Sequence, residues 1–443
     1  MNLLSFIQDR LFNSEELNKI VTNAGWLFFD KILRTVIGFF VAVWMARFLG
    51  PEQFGILSYA IAYAAFAGAF INLGFSGLVI REIIRNSDRK DEILGTVFVL
   101  KILGALLGII LSISIILLLR PGDTLTLVII TILSVGVFFQ VFDVIDLWFQ
   151  SQLKSKYTII AKNSAFLLVS LFKVGLIIIG AQVTYFALAG ALEIFLGSMG
   201  LVIAYEISGF RFSKLQFKLN LAKQLIYDSW PLLIQSIAVI SYMRVDRIML
   251  REMTNAYQVG IYSVAVQFTE AWYFVPLAIT ASLFPTIVRS KELDPKIYMA
   301  RIQKLYDLMI WMALLAAIFI TLTSDNLVQF LVGERYAESG KVLALQIWMG
   351  CSVFFGVSRQ KWLIVENHLK DALYVDIAGL FLNIICNYLL IPRYGAIGAS
   401  LASLFTVFTA HLAVATFSKP IRLSIKMYLK SLAFPVRYLK NYL

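Results

Sequence analysis

The sequence predicts an all-α polytopic membrane protein with twelve transmembrane helices in two pseudo-repeated halves. Three observations predict this class: apolar segments of membrane-spanning length, positive charge that alternates between successive loops, and two internal sequence echoes at nearly the same spacing. The composition agrees, because 60% of the residues are hydrophobic and only 15% are charged, whereas about a quarter are charged in soluble domains.

Twelve apolar segments are long enough to cross the hydrocarbon core, which takes about 20 helical residues. The loops between them are too short to hold a further folded domain. These segments, numbered as spans one to twelve, cover residues 22–48, 54–80, 94–119, 124–149, 157–180, 182–205, 224–250, 257–288, 303–323, 340–364, 371–391 and 396–417.

Positive charge is concentrated in every second loop and in the C-terminal tail. Because positively charged residues resist translocation, we expect the crowded side to be cytoplasmic and both termini to lie there. The net charge of +12 then reports topology and contact with anionic membrane lipids, and it gives no support for nucleic-acid binding. The crowded loops hold Arg81, Arg85, Arg89 and Lys90, then Lys154 and Lys156, then Arg211, Lys214, Lys218 and Lys223, then Arg289, Lys291, Lys296, Arg301 and Lys304, and then Lys361 and Lys370.

Two echoes indicate an internal duplication. Residues 53–60 (QFGILSYA) resemble residues 258–265 (QVGIYSVA), which lie 205 positions later, and residues 185–190 (YFALAG) resemble residues 394–399 (YGAIGA), which lie 209 positions later. Six spans in each half give both halves the same membrane orientation, which is a parallel repeat. The predicted organisation is a cytoplasmic amphipathic N-terminus (1–21), an N-lobe (22–205), a cytoplasmic linker that acts as the hinge (206–223), a C-lobe (224–417) and a cytoplasmic basic tail (418–443).

The tail and the cysteines complete the structural expectations. Arg422, Lys426 and Lys430 recur every four residues, which predicts an amphipathic helix on the anionic cytoplasmic leaflet. Cys351 and Cys386 both fall inside spans, so we expect buried thiols and no disulfide framework.

Ionisable side chains within the spans are the candidates for a functional site, because each costs a few kcal/mol or more in hydrocarbon. The cations come mainly from spans one, five and seven. Cationic groups gathered from several helices would form an anion-binding cavity, and guanidinium groups suit phosphate and carboxylate geometry. The candidate substrate-binding residues are Lys31, Arg34, Lys162, Lys173, Arg244 and Arg247.

A second interpretation of these charges remains open, namely that they form helix–helix salt bridges. Asp30 and Arg34 are four residues apart and can pair on one helix face, which leaves Lys31 available. Further negative charge comes from Asp143, Asp146 and Glu193.

Some polar residues are expected to lie outside the cavity. Lys101, Asp307 and Arg359 are near the predicted cytoplasmic ends of their spans, where long side chains can snorkel to the surface. For His411 in span twelve, a hydrogen-bonded structural histidine is favoured over a titrating one.

Asp246 and Glu270 are the candidates for ion coupling. Asp246 lies between Arg244 and Arg247 in span seven and cannot pair with both. Glu270 lies near the centre of span eight, where desolvation and a neighbouring cation such as Arg247 act in opposite directions on its proton affinity. Proton exchange at Glu270 and a permanent salt bridge to span seven are both open.

Motifs that are absent from the sequence limit the classes of function that we expect. The sequence has no Walker A motif, no metal-ligand cluster and no nucleophile motif, so we expect neither an enzyme nor a cofactor. Transport energy would come from an H⁺ or Na⁺ gradient, from the membrane potential or from mass action.

The turn after span one resembles a family hallmark. Residues 46–55 (ARFLGPEQFG) are similar to the motif of the polysaccharide-transporter branch of the multidrug/oligosaccharidyl-lipid/polysaccharide (MOP) exporter superfamily, and residues 23–26 (NAGW) and 394–399 support the resemblance, which covers about residues 1–418. It implies two six-helix lobes around a central cavity that alternates between inward-open and outward-open forms.

The resemblance also implies a function. A Wzx-type flippase in the bacterial inner membrane moves undecaprenyl-diphosphate-linked oligosaccharide repeat units to the periplasmic leaflet, for the biosynthesis of O-antigen, exopolysaccharide or capsule, and a polysaccharide polymerase is the candidate partner protein. Three alternatives remain: an ion-coupled multidrug exporter of the same superfamily, for which an anionic cavity is expected; a peptidoglycan-precursor flippase, which usually has two more spans; and a polymerase or ligase, which typically has a long periplasmic loop.

Overall fold

The computed structural model describes residues 14–366, 368–434 and 437, and within these ranges it contains helices and turns but no strand. Residues 1–13 of the predicted amphipathic N-terminus lie outside the described ranges. The α-helices are α1 (Ser14–Asn72), α2 (Phe75–Arg85), α3 (Lys90–Leu119), α4 (Thr124–Phe138), α5 (Val144–Ser151), α6 (Ser155–Ile178), α7 (Val183–Ile207), α8 (Leu219–Met253), α9 (Ala256–Glu270), α10 (Phe274–Leu293), α11 (Pro295–Leu331), α12 (Ala337–Gln346), α13 (Met349–Val365), α14 (Leu369–Ala415) and α15 (Lys419–Leu432).

In the described part of the chain, seven helical segments are long and apolar enough to cross a membrane, or eight if one bent pair forms a single span. The bent pair is Glu334–Gln346 and Met349–Val365, with an angle of 42°. An all-helical membrane architecture is therefore observed, as predicted. The seven segments are Gly25–Arg85, Ser87–Leu119, Thr124–Ser151, Ser155–Ile178, Val183–Ile207, Pro295–Leu331 and Leu373–Ala415.

Two of the long helices each contain residues of two predicted spans. Helix α1 contains span one and most of span two, and its backbone leaves helical geometry at Gly50 (φ 73°, ψ 169°), directly before Pro51. Span two continues into α2 after a turn at Leu73 and Gly74. Helix α14 contains spans eleven and twelve and has a similar break at Gly395 (φ 53°, ψ −129°). A positive φ is strained for residues that carry a Cβ atom, which explains why glycine stands at both breaks.

Three other predicted spans are interrupted. Span four is divided into α4, a 3₁₀ turn at Phe139–Asp143, and α5. Span eight is divided into α9 and α10 by a turn over residues 271–273. Span ten corresponds to the bent pair α12 and α13. Each interruption places backbone polar groups and side chains at membrane depth in a geometry that a continuous helix does not allow.

The chain forms two compact units that do not coincide with the two halves of the sequence. The first unit contains the residues up to Val41 together with Tyr63–Ile237, and the second contains Ala42–Ala62 and Ala238–Leu443. All three boundaries fall inside helices, namely twice within α1 and once within α8. The end of span one and the beginning of span two therefore pack with the second half of the sequence.

The basic segment 206–223 is part of the first unit and packs against its other residues. The Gln216 N–H donates to the carbonyl oxygen of Asp91 at 3.0 Å, and the Lys218 N–H donates to Thr96 Oγ1 at 3.1 Å. The rings of Phe98 and Phe212 meet edge to face, with 5.0 Å between centroids. The boundary between the two units lies after Ile237. The hinge predicted from the sequence, residues 206–223, lies earlier in the chain.

Small residues let α3 approach α1 closely. A Cβ atom on Gly104 would overlap the carbonyl oxygen of Phe70, and one on Gly108 would lie 3.0 Å from the Cα atom of Ala67. Such backbone approach is the usual way in which helices associate in lipid.

The tail forms the predicted amphipathic helix. Helix α15 exposes Arg422, Lys426 and Lys430. Its other face is buried in the second unit, where Gln303 Nε2 donates to Ser431 Oγ at 2.8 Å and Trp311 Nε1 donates to the Ser431 carbonyl oxygen at 2.9 Å. The helix is thus attached to the bundle by hydrogen bonds as well as by apolar packing.

Candidate functional site

The first unit contains a polar pocket of about 170 Å³. It is built by α1, by the 3₁₀ turn that interrupts span four, and by α6 and α7. Two of the predicted substrate-binding residues, Arg34 and Lys162, lie in its wall. The lining residues are Arg34, Gln140, Asp143, Lys162, Glu193, Ile194, Gly197 and Ser198.

The turn at Phe139–Asp143 places a carboxylate in this pocket. Ser198 Oγ on α7 donates to the carbonyl oxygen of Phe139 at 2.7 Å, which satisfies an acceptor at the interruption. Lys162 Nζ then lies 2.9 Å from Asp143 Oδ1 and 3.7 Å from Asp146 Oδ2. The break in span four thus brings two carboxylates to one lysine of span five.

Arg34 joins α1 to the same network. Its Nε atom donates to Asp30 Oδ1 at 2.9 Å, which confirms the predicted pair within α1. Its Nη1 atom is 3.9 Å from Glu193 Oε1, and Lys173 Nζ donates to Glu193 Oε2 at 3.0 Å. The Arg34 guanidinium also lies over the ring of Phe166, 5.1 Å from its centroid.

Lys101 belongs to this network as well, contrary to the expectation that it snorkels to the surface. Its side chain is only 2% exposed, and it interacts electrostatically with Asp143 and Asp146. The same expectation is wrong for Asp307, which is 6% exposed and lies 2.9 Å from Arg437 Nη2, and for Arg359, which is 5% exposed. Position along a helix located these residues near span ends, but neighbouring helices cover them.

The charges of this network in the first unit are therefore balanced. Of the four candidate cations in this unit, Arg34, Lys162 and Lys173 are in ion pairs, while Lys31 is exposed. A cation that is already paired can still bind an anionic ligand if the ligand replaces the carboxylate. Both interpretations of the sequence, ion pairs and a substrate site, thus concern the same residues.

In the second unit, Asp246 is buried among neutral donors. Its Oδ2 atom accepts hydrogen bonds from the Tyr262 hydroxyl at 2.7 Å and from Ser403 Oγ at 2.8 Å. Its Oδ1 atom accepts from Asn387 Nδ2 at 2.6 Å, and the same amide group is 3.0 Å from Asn383 Oδ1. The carboxylate is thus satisfied without an ion pair to either neighbouring arginine.

The sequence-based prediction missed these partners of Asp246. Asn383 and Asn387 are four residues apart in an apolar span, so they share one face of α14. That spacing was a usable signal, because amides in a transmembrane helix usually face other helices. Nothing in the sequence indicated that this face meets span seven.

The arginines of span seven differ in their surroundings. Arg247 is 7% exposed, and its Nη2 atom lies 4.0 Å from Glu270 Oε1. This distance supports the salt-bridge interpretation of Glu270, although the ion pair is long. Arg244 is half-buried, and among the described residues no carboxylate lies within 4.0 Å of it.

A buried cluster surrounds Phe355. The ring centroid lies 5.8 Å from the guanidinium of Arg359, 5.2 Å from the ring of His411 and 5.6 Å from the ring of Tyr306. His411 Nδ1 is 2.5 Å from the Val407 carbonyl oxygen, as expected for a structural histidine. Cys351 is buried and Cys386 is half-buried, and both are free thiols.

Comparisons with known proteins identify the class and then the family. The profile of a family described as polysaccharide biosynthesis protein matches residues 20–291, which is more than half of the chain. Together with the helical membrane fold, this match defines the class as a helical membrane protein of polysaccharide biosynthesis. The chain belongs to the polysaccharide biosynthesis protein family.

Two curated relatives agree with this assignment. The chain is 21% identical over 418 residues to the capsular polysaccharide biosynthesis protein CapF of Staphylococcus aureus, covering 91% of this chain and 100% of that protein. It is 38% identical over 73 residues to a putative O-antigen transporter of Shigella flexneri, which is 16% of this chain and 17% of that protein.

Solved structures share the fold. The lipid II flippase MurJ in an inward closed conformation superposes with a TM-score of 0.73 and 14% identity, covering 95% of this chain and 93% of that one. An inward-facing multidrug resistance transporter of the MATE family in the MOP superfamily gives a TM-score of 0.66 and 14% identity, covering 92% of this chain and 96% of that one. At these identities the likeness concerns the fold alone.

Proposed function

We propose that this protein is a flippase for lipid-linked oligosaccharides. It moves polyprenyl-diphosphate-linked repeat units from the cytoplasmic to the outer leaflet of the bacterial inner membrane, for the assembly of a surface polysaccharide. The family match carries the proposal, and the names of the two curated relatives, a capsular polysaccharide biosynthesis protein and a putative O-antigen transporter, support it. The membrane-depth charge network adds a physical reason.

The substrate brings a diphosphate and a polar sugar into a low-dielectric region. Cations offset the desolvation of the diphosphate, and Arg34, Lys162 and Lys173 are cations held at membrane depth by carboxylates. A diphosphate can replace those carboxylates as the partner, and the carboxylates balance the cations when no substrate is bound. Arg244 and Arg247 are the corresponding candidates in the second unit, and Lys31 is an exposed one.

The transport cycle that we propose is alternating access with twelve spans in two six-helix lobes and with both termini in the cytoplasm. The glycine breaks in α1 and α14 support twelve spans, because each divides one long helix into two of membrane-spanning length. The polyprenyl tail would remain in the bilayer throughout. A polysaccharide polymerase is the protein partner expected from such a role.

Ion coupling by H⁺ or Na⁺ would use Asp246 or Glu270. Asp246 is 7% exposed and has three neutral hydrogen-bond donors. A buried carboxylate without an ion pair is the kind of group that a bound proton or Na⁺ neutralises. Glu270 is more exposed and faces Arg247, so its charge already has a partner.

A multidrug exporter is the second candidate function, and one observation favours it. The network of the first unit contains the four carboxylates of Asp30, Asp143, Asp146 and Glu193, which could hold an organic cation. The two functions predict opposite consequences of gene deletion. Loss of the flippase should deplete surface polysaccharide and accumulate lipid-linked oligosaccharide, whereas loss of an exporter should raise sensitivity to cationic dyes.

A substitution series tests the flippase and its site together. We expect Lys162→Met to reduce surface polysaccharide tenfold or more in a deletion strain, because the substrate phosphate loses a partner. The double variant Lys162→Met with Asp143→Asn removes the carboxylate that this change leaves unpaired. It should recover thermal stability in detergent but not export.

Lys426→Met is the matched control, since Lys426 lies on the exposed face of α15. Polysaccharide and lipid-linked precursor would be quantified in the same cultures. Full export by the double variant would show that Lys162 only balances Asp143, and the cationic-site proposal would then fail. Dye sensitivity with normal polysaccharide would support the exporter instead.

A further inference from the structure

The two copies of the first sequence echo contact each other through glycine. A Cβ atom on Gly55 would overlap the carbonyl oxygen of Ala256, and a Cβ atom on Gly260 would overlap the carbonyl oxygen of Pro51. Gly55 and Gly260 occupy equivalent positions in residues 53–60 and 258–265. The duplication thus produces a reciprocal contact in which each glycine receives the backbone of the other segment.

Hydrogen bonds at the same end of the bundle reinforce this contact. The Tyr336 hydroxyl donates to the carbonyl oxygen of Ala46 at 2.9 Å, and the Tyr59 hydroxyl donates to Glu252 Oε1 at 2.5 Å. Tyr59 and Tyr336 are both fully buried. Three segments that are distant in sequence, residues 46–59, residues 252–260 and Tyr336, are therefore joined within the second unit.

The position of this contact in the chain is unusual. Residues 42–62 come from the first half of the sequence, but they pack with residues 238–443, while the chain before and after them belongs to the other unit. They contain the whole motif ARFLGPEQFG, residues 46–55, that marks the family resemblance. The topology predicted from the loops places this end of spans one, two, seven and eight on the outer side of the membrane.

The chemistry of the contact suits repeated opening. At the two glycines backbone meets backbone, so no side chain has to change rotamer at these two points when the surfaces part. The Cα–H groups of glycine can face carbonyl oxygens in weak hydrogen bonds. A methyl group at either glycine would force the two helices apart.

We propose that the reciprocal contact of Gly55 and Gly260 is the outer gate of the transporter. The gate is closed in this structure, and it opens when residues 42–62 separate from α9 and from Tyr336. This inference rests on the proposed alternating-access function. It also gives the family motif a role, because Pro51 and Gly55 supply the two contact points on the first-half side.

Thiol labelling from outside the cell tests the gate. Ser58 and Ser263 are equivalent positions of the echo, and both are buried at 9% and 3% exposure. Single Ser58→Cys and Ser263→Cys variants, in a Cys351→Ala, Cys386→Ala background, serve as probes for an impermeant maleimide. Gly55→Ala and Gly260→Ala should each raise labelling several-fold in intact cells, because the added methyl group opens the contact.

The control is Gly356→Ala, since no neighbouring atom lies within 4 Å of a Cβ atom built there. Tyr336→Phe is a milder second variant, which removes one hydrogen bond and should raise labelling in the same direction if the glycine variants do not insert. Labelling equal to that of Gly356→Ala in all three would overturn the gate. The labelling needs no substrate, so a rise in labelling with unchanged polysaccharide would support the gate and count against the proposed substrate.

Discussion

Single carboxylates in the second unit illustrate two ways to keep a charge at membrane depth. Asp246 is stabilised by hydrogen bonds from Tyr262, Asn387 and Ser403, whereas Glu270 faces the guanidinium of Arg247 at 4.0 Å. Hydrogen bonds to a charged group are worth about 1.5–3 kcal/mol each, so both arrangements can offset part of the desolvation cost. They differ in what neutralising the carboxylate would leave behind: neutral hydrogen-bond donors at Asp246, and a guanidinium without its carboxylate partner at Glu270.

Glu270→Gln distinguishes a coupling residue from a structural one. If Glu270 exchanges a proton during transport, this neutral variant should transport in reconstituted vesicles at a rate that no longer responds to an imposed pH gradient. Binding of the lipid-linked substrate should remain measurable. The measurement is the rate of flipping with and without the gradient. An unchanged gradient response would leave Glu270 with its salt bridge alone.

At the scale of the helix, one face of α15 packs against the bundle and the opposite face is exposed. Ile421, Ser424, Met427 and Ser431 are buried against the bundle, and the cations on the opposite side are exposed. The exposed side also carries Leu423, Leu429 and Leu432. Mixed leucine and basic residues are typical of a helix at the membrane interface.

Replacing Arg422, Lys426 and Lys430 together by glutamine should weaken binding of anionic lipid. A basic residue near an anionic surface contributes about 1 kcal/mol, so three changes should lower the apparent affinity about a hundredfold. The measurement is the rise in melting temperature of the purified protein on titration with phosphatidylglycerol. Ser418, whose hydroxyl caps α15 at 3.2 Å from the Ile421 nitrogen, is retained so that the helix itself is unaffected. An equal rise in the triple variant and the parent would argue against a lipid-binding face.

The positions of the apolar helical segments could be predicted from the sequence, but the side-chain contacts between helices could not. Apolar length located the membrane segments, and the spacing of Asp30 and Arg34 predicted a pair that is observed. The ion pair of Lys173 with Glu193 joins two helices, and it depends on how each helix is rotated. That rotation is set by packing, which hydropathy does not encode. The burial of Lys101 was missed for the same reason.

At the scale of the whole molecule, the distribution of positive charge is the basis of the orientation. Cysteines introduced at Ser213 and Asn441, in a variant without the native cysteines, should resist impermeant thiol reagents in intact cells. They should react after the membrane is permeabilised, which is the control for accessibility. The measurement is the labelled fraction of purified protein. Ready labelling of either position in intact cells would reverse the predicted topology.

The packing of residues 42–62 with the second half of the chain has a consequence for biosynthesis. Tyr59 is separated from its partner Glu252 by 193 residues, and a ribosome adds about 5–20 residues per second. The end of span one and the beginning of span two therefore remain uncovered for about 10–40 s until the residues that pack on them are synthesised. During that interval Gly55 presents bare backbone to lipid or to the insertion machinery. A membrane chaperone that covers this surface would therefore assist the folding of this protein most at that stage of translation.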